Sequence, residues 1–326
     1  MCASDSDPSD GEYDTAAVRR ASATTVNVKS YETCSTKRRR DTMLDTCQQP
    51  GDIDASFRNI TKVVLNNIFV DDKHGVMCCF IAKVACSTWK YIMINATGRV
   101  NDVPRGRIAI HSRPYMRTVG LHVLSDYTPE EIEHRLKNYY KFMLVRHPFD
   151  RLSSAYREKF GSENHYYHKA LGKGIIKKYR KNASKESLET GNDVTFREFI
   201  QFVLDGKPPN YNDHWKRFYE VCDPCRVKYN HVGKLETMSE DARIMFPILG
   251  LSPDTTLPEW NVNLHSHRYD IARGKNLSYV FDGLPPEDVT RLMRIYDLDF
   301  RLFGYQWDRT TSAAKCHTES DSETCC

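Results

Sequence analysis

The chain has 326 residues, enough for one large domain or two ordinary ones, and its 40% apolar and 11% aromatic content can build a real core. Forty-seven Lys and Arg against 43 Asp and Glu leave a formal charge of +4. That is too mild for a general nucleic-acid binder, yet it leaves room for a local basic site. No stretch reaches the ~18 apolar residues of a membrane span, and the start lacks a signal-peptide core, so the chain as written reads as soluble.

Residues 1–56 are polar, with few apolar anchors and no period, and are expected to be disordered. A compact domain is expected over 57–309 and a loose polar tail over 310–326. Within the domain, "VMCCFIA" (76–82) reads as a buried strand, followed by helical spacing at Trp89, Ile92, Met93 and Ala96. "TPEEIEHRLKNYY" (128–140) opens with a capping Thr, a first-turn Pro and acids, which predicts a helix. "KFMLVR" (141–146) is a second buried strand, and a proline-opened helix follows over 148–160. Further helices are predicted at 195–204, 239–249 and 285–303, and another strand at 227–236. Strand-turn-helix units repeated in this way point to an α/β domain with a central parallel sheet flanked by helices.

In such sheets ligands sit at the carboxyl ends of strands, where helix N-termini offer free N–H groups to anions. The first strand-to-helix turn, "KVACSTWK", places Lys83, Ser87, Thr88 and Lys90 there, without the glycines of G-x-x-x-x-G-K-[ST]. Taken alone, it reads equally as an anion cradle or a capped helix with Lys83 in solvent. The second turn, "LVRHPFDRLSSAYR", ends its strand at Arg146 and continues with Arg151, Ser153, Ser154 and Arg157 at helical spacing. Arg146 and a serine one or two turns on can clamp a second anion. Two such turns suggest a ligand phosphorylated at both ends, such as an adenosine 3′,5′-bisphosphate.

These residues carry a resemblance. "KVACSTWK" resembles the 5′-phosphosulfate loop of the Golgi carbohydrate sulfotransferases, and "VRHPFDRLSSAYREKF" their 3′-phosphate motif. "FVDDKHGVMCCFIAKVAC", "KKYRKNAS", "NDHWKRFYEVCDPCRVKYNHVGKLET" and "YDLDFRLFGY" resemble the chondroitin 4-O-, dermatan 4-O- and HNK-1-type members, in the same order, from about Asn59 to Tyr305. The resemblance implies a P-loop-like fold binding PAPS (3′-phosphoadenosine 5′-phosphosulfate), with no metal required. Lys83, Val84, Ala85, Cys86, Ser87 and Thr88 would hold the phosphosulfate, Lys83 would stabilise the leaving oxygen, and Arg146 and Ser154 would hold the 3′-phosphate. Two departures stand out: Ala82 where the family loop begins with proline, and His147 where an acid is common.

Sulfuryl transfer needs a base at the acceptor hydroxyl and a cation at the leaving phosphate. The resemblance favours His111 as the base, with His122 the second choice; His147 lies beside the nucleotide motif. The acceptor implied is an anionic glycosaminoglycan, not nucleic acid. Lys177, Lys178, Arg180 and Lys181 in the run 173–185 suit its charged groups, although a solvated helix face gives the same pattern. Of four N-x-[ST] sequons, Asn59, Asn182 and Asn276 are expected glycan sites, while Asn95 lies on a predicted helix. Cys222 and Cys225 form a C-x-x-C without a thioredoxin-type helix or a second pair of zinc ligands, and a local disulfide between them in an oxidising lumen is expected. Cys86 within the first loop also invites a nucleophile reading, although small size explains it there. Family members are type II Golgi membrane proteins, so the resemblance implies the Golgi lumen and an anchor this sequence does not contain. A P-loop kinase-like enzyme and a catalytically silent PAPS- or glycan-binding relative are the rival readings, and another glycan acceptor remains open.

Overall fold

A computed structural model describes residues 32–49, 60–99, 109–161, 163–206, 212–257 and 279–307. The expected tail 310–326 and the sequons at Asn59 and Asn276 lie outside the described residues. In chain order the main elements are α1 (Cys34–Cys47), β1 (Ile68–Asp71), β2 (Val76–Cys79), α2 (Cys86–Thr97), β3 (His122–Val123), α3 (Pro129–Asn138), β4 (Tyr140–Val145) and α4 (Pro148–Lys159). There follow α5 (Lys173–Tyr179), α6 (Lys185–Thr190), α7 (Phe196–Leu204), β5 (His231–Lys234), α8 (Met238–Ile248) and α9 (Pro286–Leu302). The chain divides into two compact units, Met1–Val145 with Phe218–Asn261, and Arg146–Arg217 with Val262–Cys326.

The first unit holds the sheet, in the order β3-β1-β2-β4-β5. β2, β4 and β5 pair in parallel, with Val76 opposite Tyr140 and Phe142 opposite His231. β1 runs antiparallel to both of its neighbours, β2 and β3. The expected parallel sheet is therefore the β2-β4-β5 half of a mixed one. β3 escapes sequence reading because it is two residues long, too short to show a period, and β1 because it follows the helical turn Lys62–Asn67 with no break between them. β1, β2 and β5 are buried along their whole length, which explains why "VMCC" shows no alternation. Helix α2 lies on this core through Trp89, whose ring meets Phe142 edge-on at 5.3 Å.

The largest departure from the sequence reading is α1, inside the segment expected to be disordered. Thr33 caps it through a capping box with Thr36, Met43 is fully buried, and Arg39 donates to both oxygens of buried Asp241. None of these long-range contacts writes a hydrophobic period into "CSTKRRRDTMLDTC". The predicted strand 227–236 also contracts to His231–Lys234. A short helical turn, Pro224–Val227, and left-handed Lys228 precede it.

The second unit is helical. α4, α5, α7 and α9 surround aromatic side chains that include Phe149, Phe160, Phe199, Trp215 and Phe300. Thr195 caps α7 with Glu198 in a capping box. Among the described residues no helix is long and apolar enough to cross a membrane.

Candidate functional site

The turn after β2 folds without glycine into a shape that glycine usually supplies. Lys83 (φ 73°) and Ala85 (φ 62°) both take the left-handed conformation, which costs a residue with a Cβ roughly 1–2 kcal/mol. Two left-handed residues within three positions turn the chain sharply, the kind of backbone from which anion nests are built. Ala85 precedes α2 and gives it no side-chain cap. Thr88 is fully buried and its Oγ1 has no hydrogen-bond partner. A buried hydroxyl left so costs about 1–3 kcal/mol, and a phosphate oxygen would satisfy it. These residues fit a phosphosulfate group.

His111, on the short turn Ala109–His111, brings Nε2 to 3.1 Å from the Ser87 hydroxyl. The first-choice base therefore stands beside the loop, whereas His122 sits on the edge strand with Nδ1 3.9 Å from Asp126. Two loop residues differ from the sequence reading. Lys90 is buried, its Nζ 5.0 Å from the Phe69 ring and 5.5 Å from the Phe80 ring. Burial, followed by repulsion from Arg113, pushes its pKa down to about 8. Cys86 is disulfide-bonded, which removes the nucleophile reading.

In the second unit Arg146 is buried, and Ser154 is half-buried on the second turn of α4. Ser153, between them in sequence and buried, has an Oγ without a partner. A 3′-phosphate fits this donor set: a guanidinium fork and neighbouring hydroxyls. Arg151 has another task. Fully buried, it donates to the backbone carbonyls of Lys216 and Asp213, and burial pushes its pKa down to about 10. His147 packs edge-on against Phe300 and Tyr305, with Nε2 3.2 Å from the Gln306 carbonyl, so it is part of the aromatic core.

The basic run is less free than its sequence suggests. Arg180 is held by Glu198 (2.7 Å) and Asp193 (2.6 Å), and those hydrogen bonds raise its pKa further. Lys178 pairs with Asp205 at 2.9 Å. Lys177 and Lys181 are exposed, as is Asn182. Arg180 thus ties the end of α5 to the start of α7.

The expected Cys222–Cys225 bridge is overturned. Cys79 bonds Cys222 and Cys47 bonds Cys225, while Cys34 is also disulfide-bonded and Cys78 is a buried free thiol. The reason is the Cys222–Cys225 segment itself: the helical turn Phe218–Cys222 breaks at left-handed Asp223, and Pro224 starts the next turn. Spacing alone gave no sign of partners 143 and 178 residues away. Among the described residues no group of three or more His, Cys, Asp or Glu could hold a metal ion.

A family model described as "Sulfotransferase family" matches residues 66–306. Carbohydrate sulfotransferase 11 of Mus musculus is 34% identical over 276 residues, covering 82% of this chain and 75% of the relative. Carbohydrate sulfotransferase 14 of Danio rerio is 37% identical over 251 residues, 77% of this chain and 65% of the relative. Carbohydrate sulfotransferase 8 of Mus musculus is 34% identical over 255 residues, 77% and 59% respectively. No solved structure matches the chain.

Proposed function

The chain belongs to the sulfotransferase family, and from that footing we propose that it transfers a sulfuryl group from PAPS to the 4-hydroxyl of GalNAc in chondroitin or dermatan, on a P-loop-like fold in the Golgi lumen. The observation that carries this reading is the turn 83–88, glycine-free and left-handed at two positions, with an orphaned buried threonine and a histidine at hydrogen-bond distance from its serine. PAPS supplies an activated sulfuryl group with a phosphate as leaving group. The loop amides and the Ser87 and Thr88 hydroxyls orient the phosphosulfate. Lys83 carries the positive charge that meets the leaving oxygen. His111 takes the proton from the acceptor hydroxyl, and Arg146 with Ser154 grips the 3′-phosphate. No metal takes part.

Lys177 and Lys181 supply charge for the acceptor's anionic groups, with Lys178 a further donor; Arg180 enters only by fixing the end of α5. Asn182, exposed in the turn after α5, is the proposed glycan carrier. The Cys79–Cys222 and Cys47–Cys225 bridges support an oxidising compartment.

The test is transfer of labelled sulfate from PAPS to desulfated chondroitin, dermatan and an unrelated glycan, with disaccharide analysis of the product. Label is expected at the GalNAc 4-position with wild type and not with Lys83→Ala or Arg146→Ala. His111→Asn should lose about 10²–10⁴ in kcat while holding the nucleotide. Nucleotide binding without transfer to any glycan would refute the enzyme reading, and label at another position would refute the acceptor.

A further inference from the structure

A cleft of about 970 Å³ opens within the second unit, and none of the residues assigned above to PAPS lines it. Tyr156 of α4 and Phe160 at its C-terminal cap form one wall, His168 and Lys169 a second, and Asn192 and Asp193 of the segment after α6 a third. α4 also presents Ser154, so Phe160 lies about 9 Å farther along the same helix axis.

His168 is the unexplained group. It is 5% exposed and lines the cleft, and its Nε2 has no hydrogen-bond partner. It begins a π-helical turn, His168–Gly172, a feature frequent at functional sites. That turn is pinned to the opposite wall by close backbone contact. A Cβ on Gly172 would sit 2.2 Å from the Gly191 carbonyl oxygen, and one on left-handed Gly191 2.4 Å from that of His168. The cleft is thus preformed, which lowers the ordering cost of binding.

Its chemistry selects the ligand. Asp193 is paired with Arg180 at 2.6 Å and Glu189 lies 3.8 Å from Lys185, which leaves Glu163 against Lys169 and no excess positive charge to attract a sulfate or phosphate group. The aromatic wall and mixed polar rim suit a pyranose ring, with its apolar C–H face and its hydroxyls that both donate and accept. Tyr166, 69% exposed and next in sequence to the cleft residue His165, offers a further aromatic face. We propose that this cleft binds an uncharged hexose or N-acetylhexosamine ring of the acceptor chain, as a subsite separate from the reacting sugar. The inference rests on the glycan-sulfotransferase reading for the identity of the chain that reaches it.

The experiment measures binding of a desulfated, carboxyl-reduced chondroitin hexasaccharide to the full chain by calorimetry, without any sulfate donor. Tyr166→Ala, Asn192→Ala and His168→Gln are each expected to weaken binding roughly tenfold, about the worth of one hydrogen bond or one stacking contact. Circular dichroism certifies the fold of each variant, and affinity for adenosine 3′,5′-bisphosphate, measured on the same preparations, should stay within twofold. Tyr166 and Asn192 are exposed, so their variants keep the test open where His168→Gln does not fold. Unchanged hexasaccharide affinity in these variants, or no binding by wild type, overturns the inference. So does a parallel loss of nucleotide affinity in the folded variants, which would assign the cleft to the donor. A chain that binds the hexasaccharide through this cleft yet transfers no sulfate sinks the enzyme reading and leaves the subsite standing.

Discussion

Lys83 and Lys90 stand seven residues apart in one motif and do opposite things. Lys83 is half-buried in a left-handed turn, whereas Lys90 is 5% exposed between two phenylalanine rings. Its pKa falls from 10.5 to about 8, so between those values the unfolded chain binds the proton that the folded chain has released. Stability therefore rises with pH across that window, and below about pH 8 the full cost of burying the charge is present. The shift corresponds to about 3 kcal/mol, offset by about 1 kcal/mol of cation–π attraction. Lys90→Met should gain about 1–2 kcal/mol at pH 7 in urea unfolding and lose the rise that wild type shows between pH 7 and 9.5. Parallel pH profiles for the two proteins would mean that Lys90 carries its charge without penalty. The sequence placed both lysines at one strand-to-helix turn because spacing reports a residue's position along the chain, not the direction its side chain takes. Thr88 and Ser153 have the same limit: their hydroxyls can be read from the sequence, but their burial without partners cannot.

At the scale of elements, what could be read was what is local. The capping Thr, first-turn Pro and acids of α3 predicted a helix that spans Pro129–Asn138, and α4, α7 and α9 fall within a residue or two of their sequence bounds. Elements held by distant partners stayed hidden, α1 above all. It ends at Cys47, bonded to Cys225, and Arg39 midway along it reaches Asp241. The Cys79–Cys222 bridge is nested inside the Cys47–Cys225 loop, so either bond alone already constrains most of the chain between them. Replacing one pair by serine should then cost about 3–4 kcal/mol, the value for the short residual loop, and replacing both pairs more than twice that. Guanidinium unfolding of the two double-Ser variants and the quadruple variant measures this. Equal stability of all four proteins would mean that these bridges do not hold the fold.

For the whole molecule the deciding quantity is whether a nucleotide stabilises it, because that separates family membership from a working donor site. A ligand that binds only the folded chain adds RT ln(1 + [L]/Kd), about 2.7 kcal/mol at a hundredfold excess over Kd. Adenosine 3′,5′-bisphosphate should therefore raise the thermal midpoint by several degrees, and the shift should vanish in Lys83→Ala and Arg146→Ala. It should survive EDTA, since the ligands assigned to the nucleotide are amides, hydroxyls and cations rather than a metal. Turnover does not enter this measurement, so a silent relative and an active enzyme give the same shift, and only the sulfate assay divides them. Backbone strain sharpens the expectation. Two non-glycine residues held left-handed at Lys83 and Ala85 cost stability in the free protein, and a fold keeps such a cost where the shape is used. If the nucleotide leaves the midpoint unchanged, that strain has no ligand to account for it, and the two turns are framework inside a sulfotransferase-family fold.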